Sequence, residues 1–405
     1  MTLRTVAVVG ASLAGLRAAE ALRHEGYDGR LVLVGAESYE PYDRPPLSKQ
    51  LLAGEQEPDR IVLRPAGLGD LELDLELGVR AVALDLDACE LELDHGGRVG
   101  FDGLVIATGA APRLLPAMRD GVPDGVFVLR TLDDALAIRA RLDAAPKVVV
   151  VGAGFIGAEV AATCRMRGLD VTVLEALPAP LVRGLGPVLG AVCGELHRDH
   201  GVDLRLGVGV GGFEGAGRVE RVRLDDGSAV EADVVVVGVG VEPVTGWLEG
   251  SGLTLDNGVV CDDTLLAAPG VVAAGDVARW PNPMFDGEVT RLEHWTNASD
   301  QAVAAARRLL HGDAPGPVAY APVPFVWSDQ YDRKIQTAGQ FRGDDEMQVV
   351  HGSLEERRFC ALFGRGGRLV GVLGFSMAAK VMQYRRLILE RTSYDDALAH
   401  AHAGS

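Results

Sequence analysis

Two stretches of this chain set glycines between a strand and a helix at a spacing that suits a bound pyrophosphate. Gly10-Ala11-Ser12-Leu13-Ala14-Gly15 follows the β-branched apolar run Thr5 to Val9 and opens a helical pattern reaching about Arg23. Gly152-Ala153-Gly154-Phe155-Ile156-Gly157 follows Lys147 to Val151 and opens a second helix through Arg167. In a GxGxxG turn the first glycine permits the tight bend and the third lets the helix pack on the strand. The second lets a phosphate reach the backbone at the positive end of the helix. Ser12 holds that second place in the first turn. It is small enough to keep the approach open, and its hydroxyl is a possible donor to phosphate.

Each turn is followed by a strand and an acid. Arg30 to Val34 leads to Glu37, 22 residues after Gly15, and Asp170 to Leu174 ends in Glu175, 18 residues after Gly157. An acid roughly 20 residues on accepts hydrogen bonds from an adenosine ribose. At Glu175 it would also repel a 2′-phosphate, which favours NAD(H) over NADP(H). Arg183 lies close enough to weaken that preference. One such turn is weak evidence of a ligand; two in one chain point to two dinucleotides.

Other segments assign the roles. Leu104 to Gly109 is a strand closing in Ala107-Thr108-Gly109, and Val234 to Val237 closes in Gly238-Val239-Gly240. Such turns close nucleotide domains in oxidoreductases that bind two dinucleotides. Val271 to Ala274 ends in Gly275-Asp276, where an aspartate suits the ribityl hydroxyls of a flavin, a helix N-cap, or both. The segment Pro41 to Lys49, PYDRPPLSK, has tandem prolines that stiffen a loop. Arg44 and Lys49 on it suit an electron-rich flavin or its pyrophosphate, and an ordinary surface turn is the alternative.

The elements that must position these groups need room. The chain has 405 residues, 48% of them hydrophobic, enough for two or three domains at about 150 residues each. The formal net charge of −18 excludes nucleic acid as an expected partner. No apolar run approaches the roughly 18 residues that span a bilayer, and the first fingerprint leaves no room for a signal peptide, so no membrane partner and a cytoplasmic location are expected. Residues 321–405 hold eleven Lys/Arg against ten Asp/Glu, which leaves −19 on the rest. That relatively basic tail is either ordinary variation or a face for an acidic partner, with Arg64, Arg333, Lys334 and Arg342 as candidate contacts. Cys89, Cys164, Cys193, Cys261 and Cys360 form no CxxC pair and read as buried small hydrophobes. His197 and His200 have loose metal-like spacing, but HRDHG at a helix end reads as a solvated turn, and no metal is expected.

With these residues in hand, the chain closely resembles the NADH-dependent ferredoxin reductases of bacterial oxygenase systems, the putidaredoxin-reductase-like and biphenyl-dioxygenase-reductase-like flavoproteins. GASLAG, PYDRPPLSK, LVIATGA, LRTLDDA from Leu129, VGAGFIGAE, AAGDVARW, EHW from Glu293 and FVWSDQY from Phe325 carry the resemblance over almost the whole chain. It implies an α/β fold with two Rossmann-like, glutathione-reductase-like dinucleotide domains and a C-terminal α/β domain. The expected FAD-binding domain is split into a first segment over 1–113 and a second over 244–320. An NAD-binding domain over 114–243 is expected between them, and a reductase domain over 321–405 after them. Pro112, Pro243 and the stretch Ala314 to Pro324 are the expected hinges.

The resemblance also implies site roles. Lys49 is expected near the flavin N5 edge, paired with Glu159, with Trp327 packing by the flavin. Arg130 is expected to contact FAD, and Val82, Ala107 and Trp295 to offer it backbone groups. Many relatives carry an acid directly after the residue matching Gly35, whereas here Ala36 stands there and Glu37 follows. Either position is therefore a candidate for the FAD ribose. The implied activity is electron transfer from NADH through FAD to a 2Fe-2S ferredoxin that feeds an oxygenase, by a monomer or a homodimer. NADH peroxidases need a cysteine near residue 42, where this chain has Tyr42, so electrons are expected to leave for a partner. A rubredoxin reductase, an NADH oxidase, or an FAD sensor resembling apoptosis-inducing factor are the alternatives.

Overall fold

The computed structural model describes residues 3–119, 121–312 and 316–403. The chain divides into two compact units. Unit 1 is Met1–Asp43, Val62–Ala111 and Glu242–Val326; unit 2 is Arg44–Ile61, Pro112–Val241 and Trp327–Ser405.

Unit 1 is built on a six-stranded sheet in the order Leu266–Ala268, Val271–Ala273, Gly103–Ile106, Thr5–Val9, Arg30–Gly35, Leu73–Leu77. The strand Thr5–Val9 pairs in parallel with Arg30–Gly35 on one side and Gly103–Ile106 on the other. Parallel strands covered on both faces need continuous apolar runs, and Val6 to Val9 and Leu31 to Val34 are buried throughout. The helices Leu13–His24 and Trp295–His311 pack on each other within this unit. Their contact faces are rich in alanine, including Ala18, Ala19, Ala302 and Ala305, which lets the backbones come close.

Unit 2 repeats the plan. Its five parallel strands run Asp203–Leu206, Val171–Glu175, Val148–Val151, Val234–Val237, Val126–Val128. In both units the strand that enters a glycine turn therefore sits between the strand leading to an acid and the strand closing in a glycine turn. That crevice at the carboxyl ends of the strands is where doubly wound sheets bind nucleotides. Unit 2 also holds an antiparallel five-stranded sheet in the order Phe325–Gln330, Arg333–Gly339, Arg368–Phe375, Arg358–Arg365, Glu346–Ser353, whose first strand spans the crossover into the unit. The helices Ala378–Leu389 and Tyr394–Ala403 pack on this sheet.

The chain crosses between units at 43–44, 61–62, 111–112, 241–242 and 326–327. The first two crossings are not among the boundaries expected from sequence, and they have a physical cause. Leu52, fully buried, belongs to the core formed by Ile138, Leu142, Val160 and Val236, so the segment Arg44–Ile61 joins unit 2. The C-terminal residues join the same unit. Ala314 and Pro315, at the head of the expected third hinge, lie outside the described residues.

Candidate functional site

In unit 1 the first turn is closed by steric necessity. Gly10 has φ +114°, and a β-carbon there would lie 2.1 Å from the Ala107 carbonyl oxygen. A β-carbon on Gly15 would lie 1.8 Å from the Gly10 carbonyl oxygen, which seats the helix on its strand. Ser12 is the extended N-cap, Leu13 and Ala14 are buried, and the first turn carries no acid. The positive helix end is therefore left to an external anion. Gly275 approaches the same helix: a β-carbon on it would stand 3.1 Å from Ala14 Cβ. Its N–H donates to Gln301 Oε1 at 2.8 Å, so Asp276 is delivered to the fingerprint by a buried side chain. Thr108 Oγ1 donates to the Val244 carbonyl at 2.8 Å, and Gly109 adopts positive φ.

Two unit 1 groups, Asp43 and His294, have no role assigned from sequence and lie beside ones that do. Trp295 Nε1 donates to Asp43 Oδ1 at 2.7 Å, which fixes the indole at the start of its helix. His294, beside it, has a buried Nδ1 with no hydrogen-bond partner among the described residues. Burial pushes its pKa down to about 4, with Asp276 partly opposing. Glu37 accepts a hydrogen bond from the Tyr42 hydroxyl, whereas Ala36 is exposed at the strand end. Of the two residues expected near an FAD ribose, Glu37 is the one with an oriented acceptor. Val82 is 45% exposed on the strand Ala81–Asp85.

Unit 2 builds the same turn with tighter chemistry. Gly152 has φ +95° and a β-carbon there would lie 2.5 Å from the Gly238 carbonyl oxygen, while one on Gly157 would lie 2.0 Å from that of Gly152. A β-carbon on Gly154, the helix N-cap, would meet nothing. That is open space at the helix end, as a pyrophosphate requires. Glu175 receives the Ala153 N–H at 2.7 Å and the Leu177 N–H at 2.8 Å, which fixes its carboxylate beside the turn. Phe155 is half-buried and Ile156 exposed. A β-carbon on Gly184 would stand 3.7 Å from the Phe155 ring, so the helix Val182–Asp199 begins beside the fingerprint. Arg183 is exposed there. Gly240, with φ +108°, accepts from the Arg113 N–H at 2.9 Å.

The pair expected between Lys49 and Glu159 forms. Lys49 Nζ stands 2.6 Å from Glu159 Oε2, with side chains 13% and 4% exposed. Ser48 Oγ donates to the same oxygen at 2.6 Å, and Ser328 Oγ donates to Oε1 at 2.8 Å. Both serines are buried. Thr163, one turn along the helix from Glu159, donates to the Ser48 carbonyl at 2.8 Å. Neither serine was singled out from sequence. Arg44 Nη1 donates to the Arg130 carbonyl at 2.5 Å, so the two expected FAD-contacting arginines are neighbours. Trp327 is half-buried on the strand whose other face carries Ser328 and Gln330.

Two readings from sequence are corrected in part. HRDHG is exposed from Arg198 to Gly201, as a solvated helix end is, but its first residue is not. His197 is 2% exposed, its Nδ1 lies 2.9 Å from the Tyr331 hydroxyl, and His200 stacks on the Tyr331 ring at 3.7 Å. Asp199 pairs with Arg357 in the same region. Tyr331, from the C-terminal residues, covers His197, which local pattern does not reveal. Cys89 is exposed at the tip of a hairpin, unlike the other four cysteines. Burial pushes the thiols of Cys164, Cys193, Cys261 and Cys360 up to about 12, which makes them inert toward redox chemistry at neutral pH. Of the four cations offered as docking contacts, Arg64 pairs with Glu20 and Asp70, Arg333 with Asp332, and Lys334 with Asp329.

Two doubly wound units, each with a sterically closed glycine turn, an acid-free helix end and an oriented acid, define an oxidoreductase using FAD and NAD(H). The family model described as pyridine nucleotide-disulphide oxidoreductase matches residues 4–302, and one described as reductase C-terminal matches 325–403. The chain belongs to the pyridine nucleotide-disulphide oxidoreductase family. It is 39% identical over 387 residues to rhodocoxin reductase of Rhodococcus erythropolis, covering 95% of this chain and 89% of that protein. It is 40% identical over 353 residues to the ferredoxin–NAD(+) reductase component of the biphenyl dioxygenase system of Paraburkholderia xenovorans, covering 87% and 84%. Among solved structures, the covalent putidaredoxin reductase–putidaredoxin complex matches with a TM-score of 0.92 and 33% identity, over 99% of this chain and 98% of that one. No helix among the described residues is long and apolar enough to cross a membrane.

Proposed function

We propose that this oxidoreductase takes electrons from NADH and delivers them to a 2Fe-2S ferredoxin that serves an oxygenase, and that it does so in the cytoplasm. The observation that carries the reading is the pairing of two complete dinucleotide turns with thiols that are either buried or unpaired. In this reading hydride enters at the second turn, and no dithiol competes for the electrons. FAD, when bound, would supply the chemistry of hydride acceptance from NADH and one-electron release. Two electrons arrive per NADH and each 2Fe-2S partner accepts one, so a turnover serves two partners and liberates a proton.

In this reading the chain's own residues bind and orient. The helix end at Ser12, Leu13 and Ala14 holds the FAD pyrophosphate, Glu37 the ribose and Asp276 the ribityl chain. The turn from Gly152 to Gly157 admits NADH, and Glu175 receives its adenosine ribose. The roles expected of Arg44, Lys49, Val82, Ala107, Arg130, Trp295 and Trp327 toward FAD belong to the same proposal, with Glu159 holding the Lys49 ammonium. The test is stopped-flow reduction of the holoenzyme by NADH, followed by turnover with oxygen, rubredoxin or a 2Fe-2S ferredoxin as acceptor. Rapid bleaching, slow oxygen turnover and acceleration by the ferredoxin are expected. Faster turnover with oxygen or rubredoxin than with the ferredoxin overturns the reading.

A further inference from the structure

Glu159 is engaged from two separate stretches of unit 2, Ser48-Lys49 and Ser328. Lys49 and Ser48 reach Oε2, both at 2.6 Å, and Ser328 reaches Oε1 at 2.8 Å. Hydrogen-bond polarity is forced through this cluster. The Gln330 carboxamide Nε2 only donates, and it lies 3.3 Å from Ser328 Oγ. Ser328 therefore accepts from Gln330 and spends its single hydrogen on Glu159. On the opposite side, Thr163 holds the Ser48 carbonyl at 2.8 Å and so aims the Ser48 hydroxyl at the same carboxylate. Ser328, Gln330 and Ser48 are 0%, 0% and 2% exposed. A carboxylate so enclosed has its rotamer set by its donors rather than by water.

We infer that Ser328 and Ser48 are positioning residues for the NADH half-reaction: they fix the Glu159 carboxylate, and through it the place of the Lys49 ammonium. The inference rests on the proposed role of the Lys49–Glu159 pair. Ser328 comes from the first strand of the antiparallel sheet, so that strand contributes to nicotinamide chemistry. Ser328→Ala removes one donor while keeping size, leaving Oε1 unsatisfied. The carboxylate then turns toward its remaining donors and carries Lys49 with it.

The holoenzyme is reduced with increasing NADH in a stopped-flow instrument, which separates the NADH dissociation constant from the limiting rate of bleaching. Ser328→Ala is expected to lower the limiting rate by about tenfold, the worth of one hydrogen bond to a charged group, with the dissociation constant changed by less than about threefold. Ser328→Thr restores the hydroxyl and is expected to recover most of the rate. In a Glu159→Gln background the Ser328→Ala effect is expected to shrink, because the two changes act through one contact. Additive effects, or no rescue by threonine, overturn the inference in favour of simple packing. Lys49→Met separates the two ideas. If it slows reduction while Ser328→Ala and Ser48→Ala do not, the positioning inference fails alone. If all three behave as wild type, the role of the pair fails with it.

Discussion

Gly10 and Ala107 approach so closely that any side chain on the glycine would strike the alanine carbonyl oxygen, with a β-carbon only 2.1 Å away. Gly152 and Gly238 repeat the relationship in unit 2 at 2.5 Å. In both cases the obstacle is backbone of the neighbouring strand's closing turn, which cannot swing aside. Two nucleotide turns of one design can therefore be disabled separately.

Gly10→Ala combines this collision with a φ of +114°, a strain of roughly 1–3 kcal/mol before the clash is counted. The expected product has less than a tenth of the wild-type flavin absorbance per chain. Gly152→Ala, at φ +95°, is expected to retain flavin while KM for NADH rises at least about tenfold. Equal flavin loss in both variants, seen in the ratio of visible to ultraviolet absorbance, would contradict the division of labour between units.

Glu175 receives the Ala153 and Leu177 N–H groups, which sets its carboxylate beside the second glycine turn. Glu175→Ala is expected to narrow the NADH/NADPH ratio of kcat/KM by about tenfold, the scale of one good charged hydrogen bond. Steady-state kinetics with both nucleotides reads it directly. An unchanged ratio with a raised KM for both would assign the residue to shaping the turn alone.

Lys49→Met leaves the Glu159 charge held only by two serine hydroxyls. Removing one partner of a buried ion pair costs roughly 3–5 kcal/mol. With Ser48 and Ser328 still donating, the loss is expected at about 3 kcal/mol, measured as a shift in the urea unfolding curve of the holoprotein. Flavin retention or the rate of reduction by NADH should fall as well. Wild-type behaviour in all of these measurements would remove the pair from the site.

The nucleotide turns are legible in the sequence because each glycine answers a separate local demand: a positive φ, an open helix end, a helix seated on its strand. Spacing likewise shows that no CxxC dithiol is present, although it does not reveal that Cys89 is exposed. The Glu159 cluster is a different matter. Its serines lie 111 and 169 residues from the carboxylate, and a serine in a loop or strand has no pattern that names such a partner. The same distance hides the assignment of Arg44–Ile61 to unit 2, which depends on Leu52 finding the core around Val160. His197 misleads for the same reason: its neighbours in sequence are charged, while the residue that covers it is Tyr331, 134 positions away.

That buried histidine gives the protein an acid limb in its stability. Burial pushes the His197 pKa down from 6.5 to about 4, with Gln330 partly opposing and His200 reinforcing. The folded state thus resists a proton that the unfolded chain accepts below its ordinary value near 6.5. Stability from this group is complete above that value and falls as pH drops toward the folded value, because the unfolded state binds more protons across the window. At 1.36 kcal/mol per pKa unit, the loss between pH 6.5 and pH 4 is about 3 kcal/mol. His294, half-buried in unit 1 and held to a pKa of about 4 by desolvation of its ring, acts in the same direction. Urea unfolding of the wild type and of His197→Gln across pH 4–7 checks the assignment. The variant starts less stable at pH 7, having lost the imidazole contact with Tyr331, and its stability should fall less steeply on acidification. Parallel curves for the two proteins would show that the acid sensitivity lies elsewhere.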